Sequence, residues 1–321
     1  MSFVFSTAQG PMNKSGAHTV TEFVLLGFPG DWEKQILLFS LFLIVYILTM
    51  MGNGAIICAV KWDQRIHTPM YILLGNFAFL EIWYITSTVP SMLENFLSET
   101  KTISFAGCFL QFYFFTSLAA TEVYFLCIMA YDRYLAICHP LHYPTKMTLQ
   151  HCYTLILVCW VLGFLSYSLT TIQLSQLIFC GPNIIDHFIC DFDPLLALSC
   201  DPAPITEILF YIINSLMIIL TAIYILGSYI LLLRAVLQVP SAAGRRKAFS
   251  TCGSHLAVVC LFFGSLMIMY VNPTSENSGE VQKIITLFYS VVTPFLNPLI
   301  YSLRNKEMKA ALRKLIGIAS E

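Results

Sequence analysis

Ionisable and polar side chains inside long apolar runs are the residues of this chain that could support chemistry. Glu81 and Glu122 each lie within such a run, and Asn53 and Asn297 lie in two others. At membrane depth such groups are costly unless they face the interior of a helix bundle, where they form ion sites, relays or packing contacts. The four side chains could form one polar cluster. Its carboxyl groups could hold a sodium ion, or stay protonated in a water-filled hydrogen-bond network, and the sequence favours neither.

The Asp132-Arg133 pair closes the apolar run that begins near Phe105. A charged pair at this point allows two interpretations. It could be an anchor at the membrane boundary, where an arginine reaches toward lipid phosphates. It could instead be a protonation-sensitive latch between Asp132 and Arg133 that faces the cytoplasm.

Composition places these groups in a membrane protein. The chain has 321 residues, of which 57% are hydrophobic and 11% charged, whereas a soluble domain has about 25% charged residues. The net charge of −1 and the lack of a basic tract give no sign of nucleic-acid binding. Seven apolar segments are each close to the ~20 residues needed to cross a bilayer, which predicts an all-α bundle of seven transmembrane helices. The segments are residues 36–60, 70–89, 105–134, 152–172, 205–237, 248–271 and 284–303.

The basic residues predict the orientation of the bundle. Of 17 Lys and Arg, only four fall on the side of the N-terminus, which leaves 13 for the other side. Because the basic side is cytoplasmic, the N-terminus is extracellular and Asn13, in an Asn-Lys-Ser triplet, is a candidate glycosylation site. We therefore divide the chain into an extracellular tail (1–35), a transmembrane domain (36–303) and a cytoplasmic tail (304–321) that contains an amphipathic helix.

Four cysteines fall on the extracellular side: Cys108, Cys180, Cys190 and Cys200. In an oxidising compartment they predict two disulfides, and four cysteines permit three pairings. His187 lies three residues before Cys190, which also makes it a weak candidate for a metal ligand. If Cys190 forms a disulfide, its thiolate is not available to a metal.

Several motifs resemble those of rhodopsin-like G-protein-coupled receptors: Gly52-Asn53, Asp132-Arg133-Tyr134, Trp160 and Asn297-Pro298-Leu299-Ile300-Tyr301. Four longer strings are similar to those of vertebrate odorant receptors, and the resemblance covers roughly residues 20–315. These strings are residues 67–71, 129–138, 247–255 and 294–305. The chain departs from the family at Phe263, where the family often has tyrosine.

The resemblance implies an odorant receptor in the plasma membrane. A small odorant binds between spans three, five, six and seven, and a stimulatory G protein then raises cyclic AMP. The implied switch residues are Asp132, Arg133, Tyr229 and Tyr301, and the implied disulfides are Cys108–Cys190 and Cys180–Cys200. A trafficking chaperone is a further expected partner.

The ligand site is predicted from helical spacing in the outer half of span three. Residues at i, i+1, i+4, i+5 and i+8 form one stripe there, although such stripes usually serve packing. None of the candidates is charged, so a neutral, mostly apolar odorant is expected. The candidates are Phe115, Thr116, Ala119, Ala120 and Val123 in span three, with Phe210, Asn214, Phe263, Tyr270 and Leu287 in later spans.

A transporter or channel is the main alternative class. Transporters usually contain internal repeats and broken helices, and no repeat is evident here. An enzyme is not expected, because the chain lacks HExxH, GxSxG and phosphate-cradling glycine motifs.

Overall fold

The computed structural model describes residues 20–237, 241, 253, 255–261, 263–264 and 278–315, apart from a few side chains at 278, 301–304 and 306. Its helices are α1 (Trp32–Trp62), α2 (Pro69–Leu97), α3 (Phe105–Cys138), α4 (Tyr143–Lys146), α5 (Leu149–Ser175), α6 (Phe192–Ala197), α7 (Pro204–Leu237), α8 (Ser278–Leu287), α9 (Thr293–Arg304) and α10 (Lys306–Leu315). The strands are β1 (Glu22–Leu25), β2 (Thr102–Ser104) and β3 (Ile184–Ile185).

Within the described residues, six helical segments are long and apolar enough to cross a membrane. They correspond to predicted spans one to five and seven, and the sixth, residues 248–271, lies mostly outside the described residues. The second span is longer than predicted and runs to Leu97, because Pro90 is accommodated inside the helix. The seventh begins at Gly279, several residues before the predicted start.

The helix starts follow local sequence signals. The Asp31 side chain accepts the Lys34 N–H at α1, and the Ser104 hydroxyl accepts the Gly107 N–H at α3. Both caps satisfy donors that the first helical turn leaves free. Pro69 occupies the first turn of α2, as the sequence indicates, since proline has no N–H to leave unpaired.

Helix α3 is the centre of the bundle and packs against α2, α5 and α7. In its most apolar stretch 67% of the residues are buried, against 22% for α7. The outer faces of α1, α5 and α7 carry exposed leucine and isoleucine side chains. Apolar surface of this extent fits contact with lipid rather than water.

A small sheet lies at the end of the bundle where α3 begins, and its strands follow the order β2-β1-β3. Strand β1 pairs antiparallel with β2 and parallel with β3, so the predicted N-terminal tail is partly folded. Phe23 and Leu25 of β1 are fully buried in a cluster that includes Cys108 and Cys190. Burial of these two side chains fixes the N-terminal segment over the mouth of the bundle.

Span seven contains a π-helical turn, Phe288–Val292, that joins α8 to α9. Pro294 follows directly and cannot donate a backbone hydrogen bond, and its ring crowds the preceding turn. In the widened turn Thr293 donates both its N–H and its hydroxyl to the Phe288 carbonyl. The backbone distortion expected at Pro294 is therefore accommodated by a local widening of the helix.

Candidate functional site

The predicted polar cluster is formed in part. The amide of Asn297 on α9 donates to the Glu81 carboxylate on α2, and both side chains are fully buried. Asn53 instead donates to the carbonyl oxygens of Thr49 (3.1 Å) and Pro294 (3.3 Å). It therefore ties α1 to span seven and forms no bond with either carboxylate.

Glu122 on α3 is the least satisfied member of this cluster. Its side chain is 1% exposed, and neither oxygen bonds any residue that the structure describes. Its carboxyl lies near enough to that of Glu81 for the two to repel when both are ionised. Oxygens of Glu122, Glu81 and Asn297 left without donors are acceptors suited to a cation or water.

The Asp132-Arg133 pair lies at the other end of α3, where both side chains are largely buried. The Arg133 guanidinium is 3.3 Å from Asp132 Oδ2, and the Tyr143 hydroxyl donates to Asp132 Oδ1 at 2.7 Å. Tyr143 belongs to the short helix α4 in the loop after α3. Burial and the Asp132 carboxylate raise the pKa of Tyr143, so its hydroxyl remains a donor.

Tyr229 on α7 takes part in a buried contact across three helices. Its hydroxyl is 2.6 Å from Nδ1 of His255, whose Nε2 is 3.2 Å from the carbonyl of Leu126 on α3. His255 is a residue that the sequence interpretation did not single out, although it ends one of the family-like strings. Tyr301 is another of the predicted switch residues, and its side chain lies outside the described residues.

The extracellular cysteines form the two disulfides Cys108–Cys190 and Cys180–Cys200, the pairing that the resemblance implies. Gln111 of α3 supports the first bridge by accepting the Cys190 N–H at 3.0 Å. The long loop between α5 and α7, residues 176–203, is thus attached to the outer end of α3, the central helix.

His187 belongs to this loop, where its side chain is buried and stacks on Phe188. Burial lowers its pKa to about 4, so the ring is neutral at pH 7. The described residues contain no group of three or more His, Cys, Asp or Glu able to hold a metal ion, and the Cys190 sulfur is in a disulfide.

The predicted ligand residues of α3 lie inside the bundle. Phe115 and Val123 are buried in the same core cluster as Phe263, with Ala119 and Leu287 packed against it. Ala120 is fully buried, and the Thr116 hydroxyl donates to the Phe112 carbonyl at 2.8 Å. The Phe115 ring also contacts Tyr289 of span seven, with centroids 5.9 Å apart, so the stripe on span three meets span seven.

Of the two candidates on span five, Phe210 packs against the cluster that contains Phe23, Leu25, Cys108 and Cys190. Phe210 stacks on Phe192 of α6 with ring centroids 3.7 Å apart. The Asn214 amide oxygen accepts the Tyr167 hydroxyl at 2.7 Å, and its nitrogen donates to the Phe210 carbonyl. Tyr270 is outside the described residues.

Two groups near this region were missed by the sequence interpretation. Lys283 on α8 is buried and bonds Asp186 of the long loop (2.6 Å) and Glu280 (2.9 Å). The hydroxyls of Tyr84, Thr286 and Ser290 are buried without a partner among the described residues. The mean hydropathy of a whole span does not reveal such positions, because one hydroxyl group hardly changes that mean.

The fold defines the class of the protein. The chain is similar to the crystal structure of squid rhodopsin with a TM-score of 0.73, covering 90% of this chain and 82% of that one at 17% identity. The chain therefore has the helix-bundle fold of rhodopsin, and its six described apolar helices make it a multi-pass membrane protein.

The family follows from sequence similarity. A profile of the olfactory receptor family matches residues 42–318. The human olfactory receptors 11H4 and 11H6 are 66% and 65% identical to the chain, and each alignment covers 98% of it and 97% and 95% of the relative, respectively. The chain belongs to the olfactory receptor family. It is an odorant receptor and not an enzyme.

Proposed function

We propose that the protein binds a small, neutral, mostly apolar odorant within the bundle and activates a stimulatory G protein that raises cyclic AMP. The observation that supports this most is the path of α3. Its outer half places Phe115 and Val123 in one buried cluster with Phe263, and its inner end carries Asp132 and Arg133. A ligand that prefers one arrangement of this helix would shift the population of the other end.

The chemistry of the lining supports a neutral ligand. Burial of apolar area supplies about 25 cal/mol per Å², and Tyr84, Thr286 and Ser290 offer hydroxyls for one orienting hydrogen bond. Asn214 already accepts from Tyr167. A polar ligand atom there would have to displace that bond.

The same proposal includes cell-surface placement. The distribution of basic residues supports an extracellular N-terminus in the plasma membrane, with glycan on Asn13 and delivery by a trafficking chaperone. Glycosidase treatment of wild type and Asn13→Gln checks the orientation. An equal gel shift in both would contradict it.

We further propose that Glu81 and Glu122 bias the resting state, with a sodium ion between them. The unpaired carboxylate oxygens of Glu122 support this site. Basal and odorant-driven responses are compared in sodium and in a large organic cation. Unchanged responses would leave a protonated water network as the explanation.

A cyclic AMP reporter in cells that supply the chaperone, challenged with a chemically diverse odorant panel, tests the main proposal. At least one neutral apolar odorant should give a saturable response that Arg133→Ala abolishes at equal surface amount. Odorant-independent solute flux in vesicles, with no cyclic AMP response to any odorant, would favour a transporter.

A further inference from the structure

A cleft opens on the outer surface of the bundle between α1, α2 and α5, far from the odorant candidates in the outer half of α3. Its volume is about 390 Å³. This lies within the roughly 300–1,000 Å³ typical of small-molecule sites. The residues that line it are Ile57, Val60, Lys61, His67, Ile72, Gly75, Asn76, Phe79 and Tyr153.

The cleft has an apolar floor and a polar mouth. Ile72 and Phe79 of α2 form part of the floor, and the Phe79 ring packs against Trp160 of α5, with centroids 6.0 Å apart. This contact joins the two helices along one wall. The mouth carries Lys61 in the last turn of α1 and His67 in the following loop.

The two basic groups at the mouth are available to a ligand. Neither the Lys61 ammonium nor the His67 ring bonds or ion-pairs with any described residue. Arg65, which lies between them in sequence, is bound to Asp63 through a 2.6 Å contact. That guanidinium also holds the pKa of the Asp63 carboxyl well below its usual range, so the carboxylate of Asp63 is committed to Arg65.

The position of the cleft matches a membrane boundary. Trp62, next to Lys61, is 66% exposed and Tyr153 is 55% exposed. Tryptophan and tyrosine favour the headgroup level of a bilayer. A lysine at this level attracts anionic lipid, and basic pockets between transmembrane helices bind lipid headgroups.

We propose that this cleft binds one anionic phospholipid, whose phosphate contacts Lys61 and His67 and one of whose acyl chains packs along Ile72 and Phe79. Under the orientation proposed above, the lipid comes from the inner leaflet. The charge of the mouth favours a net-negative phospholipid over a sterol, whose hydroxyl carries no charge. Bound there, the lipid would connect the inner ends of α1, α2 and α5.

The full chain in non-ionic detergent is incubated with dioleoyl phosphatidylserine, dioleoyl phosphatidylcholine or cholesterol, and retained lipid is counted by native mass spectrometry. Wild type should retain phosphatidylserine in preference to the other two. Lys61→Gln combined with His67→Gln should reduce that preference about fivefold or more. Lys146→Gln, which removes an exposed charge on the same side but away from the cleft, should not.

A second variant tests the apolar part of the site. A Cβ on Gly75 would make only ordinary contact with Val60, at 3.4 Å, so Gly75→Leu can add bulk to the cleft without altering its charges. It should reduce retention of every phospholipid while thermal unfolding remains cooperative. Equal retention of phosphatidylserine and phosphatidylcholine by wild type, binding of cholesterol alone, or unchanged retention in both variants would each overturn the proposal. None of these readouts requires odorant or G protein.

Discussion

Asp132 is held by two contacts at the inner end of α3, where the switch is proposed. One of its oxygens faces Arg133 and the other accepts the Tyr143 hydroxyl, so a residue of the neighbouring loop helps to fix the carboxylate. A carboxylate held in this way keeps the arginine close by charge attraction. The loop and the latch are therefore coupled through one hydrogen bond.

Tyr143→Phe should raise basal cyclic AMP several-fold, because loss of a hydrogen bond to a charged group weakens the hold on Asp132 by about 1.5–3 kcal/mol. Asp132→Asn should act in the same direction. The matched control is Tyr134→Phe, since Tyr134 contacts His139 instead of Asp132. Basal activity per surface receptor is the measurement, and equal values for Tyr143→Phe and Tyr134→Phe would show that the bond has no such role.

His187 should make the stability of the receptor fall in mild acid. Its folded pKa of about 4 lies below the ordinary histidine value of 6.5, so the unfolded chain binds more protons between these values. Stability is therefore full above pH 6.5 and is lost as pH falls, by roughly 2 kcal/mol at pH 5.

Thermal unfolding of wild type and His187→Gln at pH 7.5 and pH 5 tests this contribution. The variant should lose less stability on acidification than wild type, because glutamine does not titrate. Asp191 also titrates in this loop, with a pKa raised to about 6 mainly by burial. Its contribution is shared by both proteins, so a zero difference between them would refute the role of His187.

Among the structural elements, the long extracellular loop is held by two kinds of attachment. A disulfide and the Gln111 contact join it to α3, and the Lys283–Asp186 ion pair joins it to α8. The odorant candidates lie below these attachments. The loop is thus held at the same end of the bundle as the proposed odorant site.

Asp186→Asn should destabilise the loop by about 1–2 kcal/mol, because the buried Lys283 ammonium loses its charged partner from another element. Glu280→Gln should cost less, since Glu280 lies on the same helix as Lys283 and adds no connection to the loop. Hydrogen exchange of the loop and odorant dose–response curves compare the two variants. Equal effects would contradict the connecting role.

The two disulfides should differ in their contribution. Cys108–Cys190 closes a separation of 82 residues and Cys180–Cys200 one of 20. In the chain-entropy account the longer loop adds about 1 kcal/mol more stability. Paired serine variants of each bridge, compared by thermal unfolding, should show the larger loss for Cys108 and Cys190. The reverse order would contradict the entropic account for this chain.

On the scale of the whole molecule, the proposed odorant site and the proposed G-protein switch lie at opposite ends of α3. The outer end carries the predicted ligand stripe, and the inner end carries Asp132 and Arg133. Because α3 packs against α2, α5 and α7, its movement is shared by most of the bundle. A bulky side chain added at the outer end of α3 should therefore change the response at its inner end.

Ala119→Phe should abolish odorant responses with surface expression intact, because the larger side chain adds bulk against the buried cluster that contains Phe115, Val123 and Phe263. Leu110→Phe is the control, since Leu110 is 57% exposed on the same helix. Cyclic AMP dose–response curves in cells are the measurement. If Ala119→Phe and Phe263→Ala both leave the curve unmoved, the pocket lies elsewhere.

Much of this architecture was determined by the sequence alone. The apolar segments predicted the helices, and the buried acids predicted a polar interior, because the cost of placing each residue type in lipid is local and nearly additive. The side on which the cysteines fall also followed from span order. Tyr270, Asn13 and the side chain of Tyr301 lie outside the described residues, so their predicted roles stay predictions.

Only the tertiary structure decided which groups meet. Asn53 bonds the Pro294 carbonyl instead of a carboxylate, Tyr229 contacts His255, and Lys283 joins Asp186. These partners depend on how far each helix rotates and slides during packing, and hydropathy reports neither. The cleft beside Lys61 is likewise lined by residues of α1, α2 and α5 together, and no single stretch of sequence predicts it.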